Sequence, residues 1–173
     1  MVWAKTKSQT TGVYLGVCND KKKVELKRFE QGSLTSLEFL DKETWFYSND
    51  EGSYFFNFVN GQSTKYTALG NRVMAKISED KKYIGASVNG STIVVDYPAV
   101  KQSGVEKHYV LPFTGSLIFS KDEVLITQSK ICQEDGDCGE IIRISLKGNG
   151  VWEIKDRIEL KDIQVDELLG EVR

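Results

Sequence analysis

The chain has 173 residues, a length that suits one domain with a proper hydrophobic core. Lysine and arginine total 23 against 25 aspartate and glutamate, so the formal net charge is only −2. This near balance excludes a dominant electrostatic footprint for nucleic acid. No apolar run approaches the roughly 20 residues that a membrane helix needs, so we expect no membrane span.

Short runs of aromatic and β-branched residues predict strands along almost the whole chain. Turn residues separate these runs, and Asn-Gly pairs such as the one at residues 89–90 supply the positive φ that tight hairpins require. Many short strands with frequent turns predict an all-β sandwich, barrel or propeller. The predicted strands cover residues 13–18, 24–29, 34–40, 44–47, 54–59, 65–69, 73–77, 83–88, 92–95, 107–111, 117–119, 124–127, 141–146 and 151–160.

One segment near the end of the sequence has a different periodicity. Val165, Leu168 and Leu169 follow helical spacing, and Gly170 is a helix stop signal. We therefore predict a single β domain over residues 1–160 and a short helical segment or tail over residues 161–173, with its apolar side against the sheets.

An internal repeat distinguishes between the all-β architectures. The stretches 34–58, 73–96 and 116–145 each read as strand, acidic turn, strand, glycine-bearing turn and strand, with Phe39, Ile77 and Phe119 at equivalent positions 38 and 42 residues apart. A fourth predicted strand follows each stretch, and residues 13–26 match part of the unit. A period of about 40 residues with four strands is typical of a propeller blade.

At these residues the chain resembles the WD40-like β-propellers. The closest copy runs from Ile77 to Asp96 and is similar to the family's pattern of apolar strand, Ser-Pro-Asp-Gly turn, small-residue strand and "I-x-V-W-D". The resemblance covers about residues 13–160 and implies a stack of about four blades, three full and one partial. Propellers of this type usually close with more blades, so the stack is either incomplete or closed by a partner. A β-sandwich of about a dozen strands is the alternative fold.

The stretch "ICQEDGDCGEI" at residues 131–141 is a lengthened, acidic version of the repeat's second turn. Cys132 and Cys138 flank it, and a hairpin can bring two cysteines within disulfide distance. The alternative is an exposed acidic hairpin with two reduced thiols. Structural zinc would need two more close ligands, and the acidic spacing does not match a calcium loop. We therefore predict no metal and no cofactor here.

Catalytic signals are sparse in this sequence. His108 is the single histidine, so any Ser-His-Asp or Cys-His mechanism would have to use it. It lies in a predicted strand without a nucleophile motif nearby, and a structural or surface role is the simpler interpretation. We predict that the chain is not an enzyme.

The sequence therefore favours a protein–protein interaction scaffold without catalysis of its own, bound to a protein partner or to a second copy of the chain. Inserted propeller loops project towards partners. An odd count of three cysteines favours an intracellular, cytoplasmic chain. The alternative is a secreted or periplasmic module that binds carbohydrate or calcium, with a Cys132–Cys138 disulfide. The candidate binding residues are Glu134, Asp135, Asp137, Glu140 and, in the turn at residues 49–52, Asp50.

Overall fold

The computed structural model describes residues 2–7, 10–19, 22–30, 34–131 and 137–160, and describes side-chain surroundings for residues 34–128 and 139–160. The described chain is mostly antiparallel β-sheet, which confirms the all-β prediction. It separates into two compact units, residues 1–74 and 75–173. That residues 1–160 form one domain stays a prediction.

The strands form one three-stranded and three four-stranded sheets, here called S1 to S4, and in each the strands are neighbours in chain order. S1 contains β1 (Val2–Lys7), β2 (Thr10–Asn19) and β3 (Lys22–Glu30). S2 contains β4 (Leu34–Phe39), β5 (Thr44–Asn49), β6 (Gly52–Asn57) and β7 (Gln62–Lys65). S3 contains β8 (Lys76–Ile77), β9 (Tyr83–Val88), β10 (Ser91–Asp96) and β11 (His108–Leu111). S4 contains β12 (Ser116–Ser120), β13 (Glu123–Ile131), β14 (Asp137–Gly148) and β15 (Val151–Leu160). The three four-stranded sheets coincide with the three copies of the sequence repeat.

Sheet S2 in the first unit has an aromatic core. Tyr47 and Phe56 are each 1 % exposed, and Leu34, Leu37 and Trp45 are among the side chains that pack around them. The rings of Tyr47 and Tyr54, paired across β5 and β6, stack with centroids 4.9 Å apart. Trp45, Tyr47, Tyr54 and Phe56 of this repeat copy therefore pack together on one face of S2.

Sheets S3 and S4 in the second unit pack against each other and share one apolar core. S3 contributes Tyr83, Val94, Tyr109 and Leu111, and S4 contributes Leu117, Val124, Ile126, Ile142, Ile144 and Leu146. Strand alternation explains this set, because directly paired residues such as Ile126 and Ile142 lie on the same face of a sheet. Gly85 leaves room for Leu117 and Phe119 between the two sheets.

Some local elements differ from the sequence predictions. The strand expected at residues 65–69 is wrong in its second half, because β7 ends at Lys65 and a 3₁₀ turn occupies Thr67–Leu69. Helix α1 (Tyr97–Ser103) was not predicted, although Asp96 caps it by accepting a hydrogen bond from Ala99 N and a proline occupies its first turn. The segment 161–173 lies outside the described residues, so its predicted helix stays a prediction. None of the helices in the described ranges is long and apolar enough to cross a membrane.

Candidate interaction surfaces

The turn between β5 and β6 presents Asp50 at the surface of the first unit. Asn49 shapes this turn, because its Oδ1 accepts hydrogen bonds from Glu51 N at 3.0 Å and Gly52 N at 3.1 Å. Its own backbone oxygen accepts from Arg72 N at 2.9 Å. Asn49 is only 9 % exposed, so these bonds form in a largely dry environment. The result is a turn closed by side-chain and backbone hydrogen bonds, with the Asp50 side chain on the outside.

Asp50 is paired rather than isolated. Arg72 Nε donates to Asp50 Oδ1 at 2.6 Å, and Asn71 Nδ2 donates to the Asp50 carbonyl at 3.0 Å. The Arg72 hydrogen bond lowers the pKa of Asp50 below its ordinary value. The two side chains remain 45 % and 68 % exposed, Asp50 and Arg72 respectively. The turn therefore exposes an acid–base pair, where the sequence analysis singled out Asp50 alone.

The hairpin between β13 and β14 contains the other predicted binding residues. Glu134, Asp135 and Cys132 lie outside the described residues. Asp137 is the first residue of β14 and pairs with Ile131, and Cys138 pairs with Lys130. For these two residues the structure describes the backbone but not the side chains. Display of the three acids and the Cys132–Cys138 disulfide stay predictions.

Glu140 differs from the loop position that the sequence predicted for it. It lies within β14 and is 5 % exposed. Its carboxylate accepts a hydrogen bond from Gln128 Nε2 at 2.6 Å and two from Arg157 Nη1 at 3.2 Å each. Because β14 begins three residues earlier, the acidic loop is shorter than predicted and Glu140 belongs to an internal network of S4.

Arg157 joins this buried carboxylate to an aromatic pair. Its guanidinium carbon lies 5.2 Å from the Phe113 ring centroid, and the Phe113 and Trp152 rings meet edge to face at 6.1 Å. A guanidinium over an aromatic face is attracted by the ring quadrupole. The network therefore connects β13, β14 and β15 with the segment before β12.

A cleft of about 370 Å³ lies in the second unit between α1, β11 and the β14–β15 turn. It is lined by Asp96, Ala99, Glu106, Lys107, His108, Tyr109, Asn149 and Gly150. The Tyr109 hydroxyl accepts a hydrogen bond from Gly148 N at 3.1 Å. Burial, with the nearby charge of Asp96 as a second cause, raises the pKa of Tyr109. The cleft gives His108 polar surroundings that its strand position did not indicate.

The cleft depends on residues that are far apart in sequence. Gly148 and Gly150 indicate only a hairpin turn, and Asp96 with Pro98 could have indicated the start of α1. Nothing in the sequence places that turn beside His108. Among the side chains that the structure describes, no three of the types His, Cys, Asp and Glu converge closely enough to hold a metal ion.

Comparisons with known proteins give little further information. No protein-family model matches the chain, and no curated protein matches it. Among solved structures it is similar to Kluyveromyces lactis Hsv2, with 11 % sequence identity and a TM-score of 0.32. That match covers 92 % of this chain and 86 % of the Hsv2 chain.

Proposed function

We propose that this chain is a protein–protein interaction scaffold built from propeller-type blades, with no catalysis of its own. One observation carries the proposal: S3 and S4 are consecutive four-stranded meanders that pack face to face around a shared core. One such sheet cannot bury two apolar faces alone, and stacking solves this problem. The three four-stranded sheets then count as three blades and S1 as a partial one.

When sheets stack, their faces are buried against each other, and the turns at the sheet edges stay accessible to a binding partner. In the first unit the β5–β6 turn offers the exposed Asp50–Arg72 pair on a backbone fixed by Asn49. In the second unit the β13–β14 hairpin offers the acids predicted at Glu134, Asp135 and Asp137. The proposed partner is a protein, or a second copy of this chain, with basic groups opposite these turns.

Quantitative affinity enrichment of the full chain from its native extract tests the proposal. Reversing the charge in the turns with Asp50→Lys, or with Glu134→Lys and Asp135→Lys together, should reduce the recovery of a specific protein. Glu79→Lys is the matched control, because Glu79 is an exposed acid in the β8–β9 turn. Equal recovery with all these variants would contradict recognition through the acidic turns. A stable monomer that enriches no protein would contradict the scaffold itself.

The compartment can be tested separately from the partner. We propose an intracellular chain in which Cys132 and Cys138 are reduced. The chain also contains Cys18, so the mass is measured on the tryptic peptide 131–143, which contains only Cys132 and Cys138. Its mass from natively isolated protein, with and without reductant, distinguishes the two states, because a disulfide removes two hydrogens. Loss of those hydrogens between Cys132 and Cys138 would favour the secreted alternative and overturn this part of the proposal.

A further inference from the structure

S3 and S4 are copies of the same repeat, so each face of S4 has an equivalent face in S3 with which it can be compared. In S3 the face towards S4 contains the buried residues Tyr83, Gly85, Thr92, Val94, Tyr109 and Leu111. The half-buried Asp96 and the exposed Ser87 lie at the two ends of this face. From the strand pairing, the corresponding face of S4 contains the apolar residues Ile118, Leu125, Ile141 and Ile158. The polar residues Ser116, Ser120, Glu123, Thr127, Arg143, Ser145 and Asp156 lie on the same face. This is the face of S4 that points away from the core shared with S3.

This second face of S4, here called the outer face, has an apolar stripe that is incompletely covered. Ile118 in the middle of β12 is 46 % exposed, and Ile158 near the end of β15 is 50 % exposed. Leu125 and Ile141 lie between them and are half-buried. Ile118 pairs with Leu125 and Ile141 pairs with Ile158, while Leu125 and Ile141 are diagonal neighbours, so the four side chains form one stripe across β12 to β15. An exposed apolar stripe of this kind is a candidate docking surface.

The chain continues beyond Leu160, next to the Ile158 end of this stripe. Leu160, the last residue of β15, pairs with Gly139 and lies on the same face as Ile158, because alternate residues of a strand share a face. Leu160 is 8 % exposed. Residues 161–173 follow it directly, and they contain Val165, Leu168 and Leu169 at helical spacing.

We propose that residues 161–173 dock on the outer face of S4. The length is sufficient, since 13 helical residues span about 20 Å, and four strands at about 4.8 Å spacing span about 14 Å. A tethered segment also has an effective concentration in the millimolar range, which a free partner or second copy does not reach. The segment is therefore favoured over both as the occupant.

Photo-crosslinking on the full chain tests the docking. A p-benzoyl-phenylalanine replaces Ile118, and trypsin releases residues 162–173 as one peptide because Lys161 precedes it. We expect crosslinks from position 118 to that peptide at monomer mass. The control probe replaces Val110 of β11, which is 51 % exposed on the face of S3 opposite to S4 and should give several-fold less of this product.

Two variants of residues 161–173 complete the design. Leu168→Asp with Leu169→Asp should abolish the crosslink at position 118, whereas Gln164→Asp should preserve it. A crosslink at dimer mass would show that a second copy covers the face and would overturn the proposal. So would a yield at position 118 no higher than at position 110.

Hydrogen exchange on the chain without the photo-probe gives a second readout. We expect faster amide exchange in β12, read from the acid-protease peptides that cover residues 116–120, for the Leu168→Asp, Leu169→Asp variant than for the wild type. Identical exchange in the two chains would overturn the proposal independently of how the probe is tolerated. Equal partner recovery by the turn variants, which would contradict the proposed function, would leave this inference unaffected.

Discussion

Gly85 of β9 lies directly against Leu117 of β12, at the centre of the packing between S3 and S4. A Cβ atom at Gly85 would overlap Leu117 Cδ2 and lie 2.9 Å from Phe119 Cζ. The space that a side chain at Gly85 would need is thus occupied by the Leu117 and Phe119 side chains of S4. This contact fixes how closely the two sheets approach.

Gly85→Ala should therefore destabilise the second unit. The added methyl must displace Leu117 and Phe119, and overpacking of this kind costs about 1–3 kcal/mol. Urea unfolding followed by circular dichroism measures the loss. Leu117→Ala provides the control: by itself it leaves a cavity, and in that background Gly85→Ala should cost less than in the wild type. Equal costs in the two backgrounds would show that the predicted overlap is not the cause.

Asp122 should make a pH-dependent contribution to stability. Its Oδ1 accepts hydrogen bonds from Lys82 Nζ and, at 3.2 Å, from the Tyr83 hydroxyl, and the Lys82 bond is the main reason that the pKa of Asp122 falls below 3.8. A lowered folded-state pKa stabilises the folded chain above the unfolded value and loses that effect as the pH falls through the folded value.

Asp122→Asn should thus lower the free energy of unfolding near pH 6 and have little effect near pH 2. The side chain of Asp122 is 60 % exposed, so solvent screening limits the difference to less than about 1 kcal/mol. Unfolding curves of the two chains across that pH range measure it. A difference that stays constant down to pH 2 would contradict an ionic contribution.

Arg157→Met should destabilise S4 because it leaves the Glu140 carboxylate buried with one hydrogen-bond donor instead of two. Hydrogen bonds to charged groups contribute about 1.5–3 kcal/mol, and the loss should fall in that range. Adding Glu140→Gln to the Arg157→Met variant removes the unpaired charge, so the double variant should be more stable than Arg157→Met alone. Thermal unfolding compares the chains, with Lys155→Met on the exposed side of β15 as the control. A double variant less stable than the single one would refute the pairing.

Asn49→Ala should loosen the β5–β6 turn. The change removes the acceptor for Glu51 N and Gly52 N in a largely buried position, and an unsatisfied buried donor costs about 1–3 kcal/mol. Asn49→Asp retains the acceptor and should keep most of the stability. Chemical unfolding of the first unit, followed by local hydrogen exchange in residues 44–57, makes the comparison. Equal exchange in the alanine and aspartate variants would exclude the side-chain bonds as the cause.

The strand-forming sequence and the repeat were sufficient to predict much of the architecture. The alternation around Ile84 and Val94 and the turn at residues 89–90 are local signals, and β9 and β10 form where they predict. The predicted strand 151–160 matches β15 at both ends. These elements depend on side-chain periodicity and on turn conformation, which neighbouring residues determine.

Only the tertiary structure showed which residues meet across strands and sheets. Glu140 reads as part of an acidic loop, yet strand pairing brings it beside Gln128 and Arg157, 12 and 17 residues away in sequence. Gly85 reads as an ordinary small residue, but its role depends on Leu117. The amino-acid sequence alone determines the strands and turns, because each of these depends on residues that are neighbours in the chain. Burial and pairing depend on register and on sheet packing, which involve residues that the sequence separates.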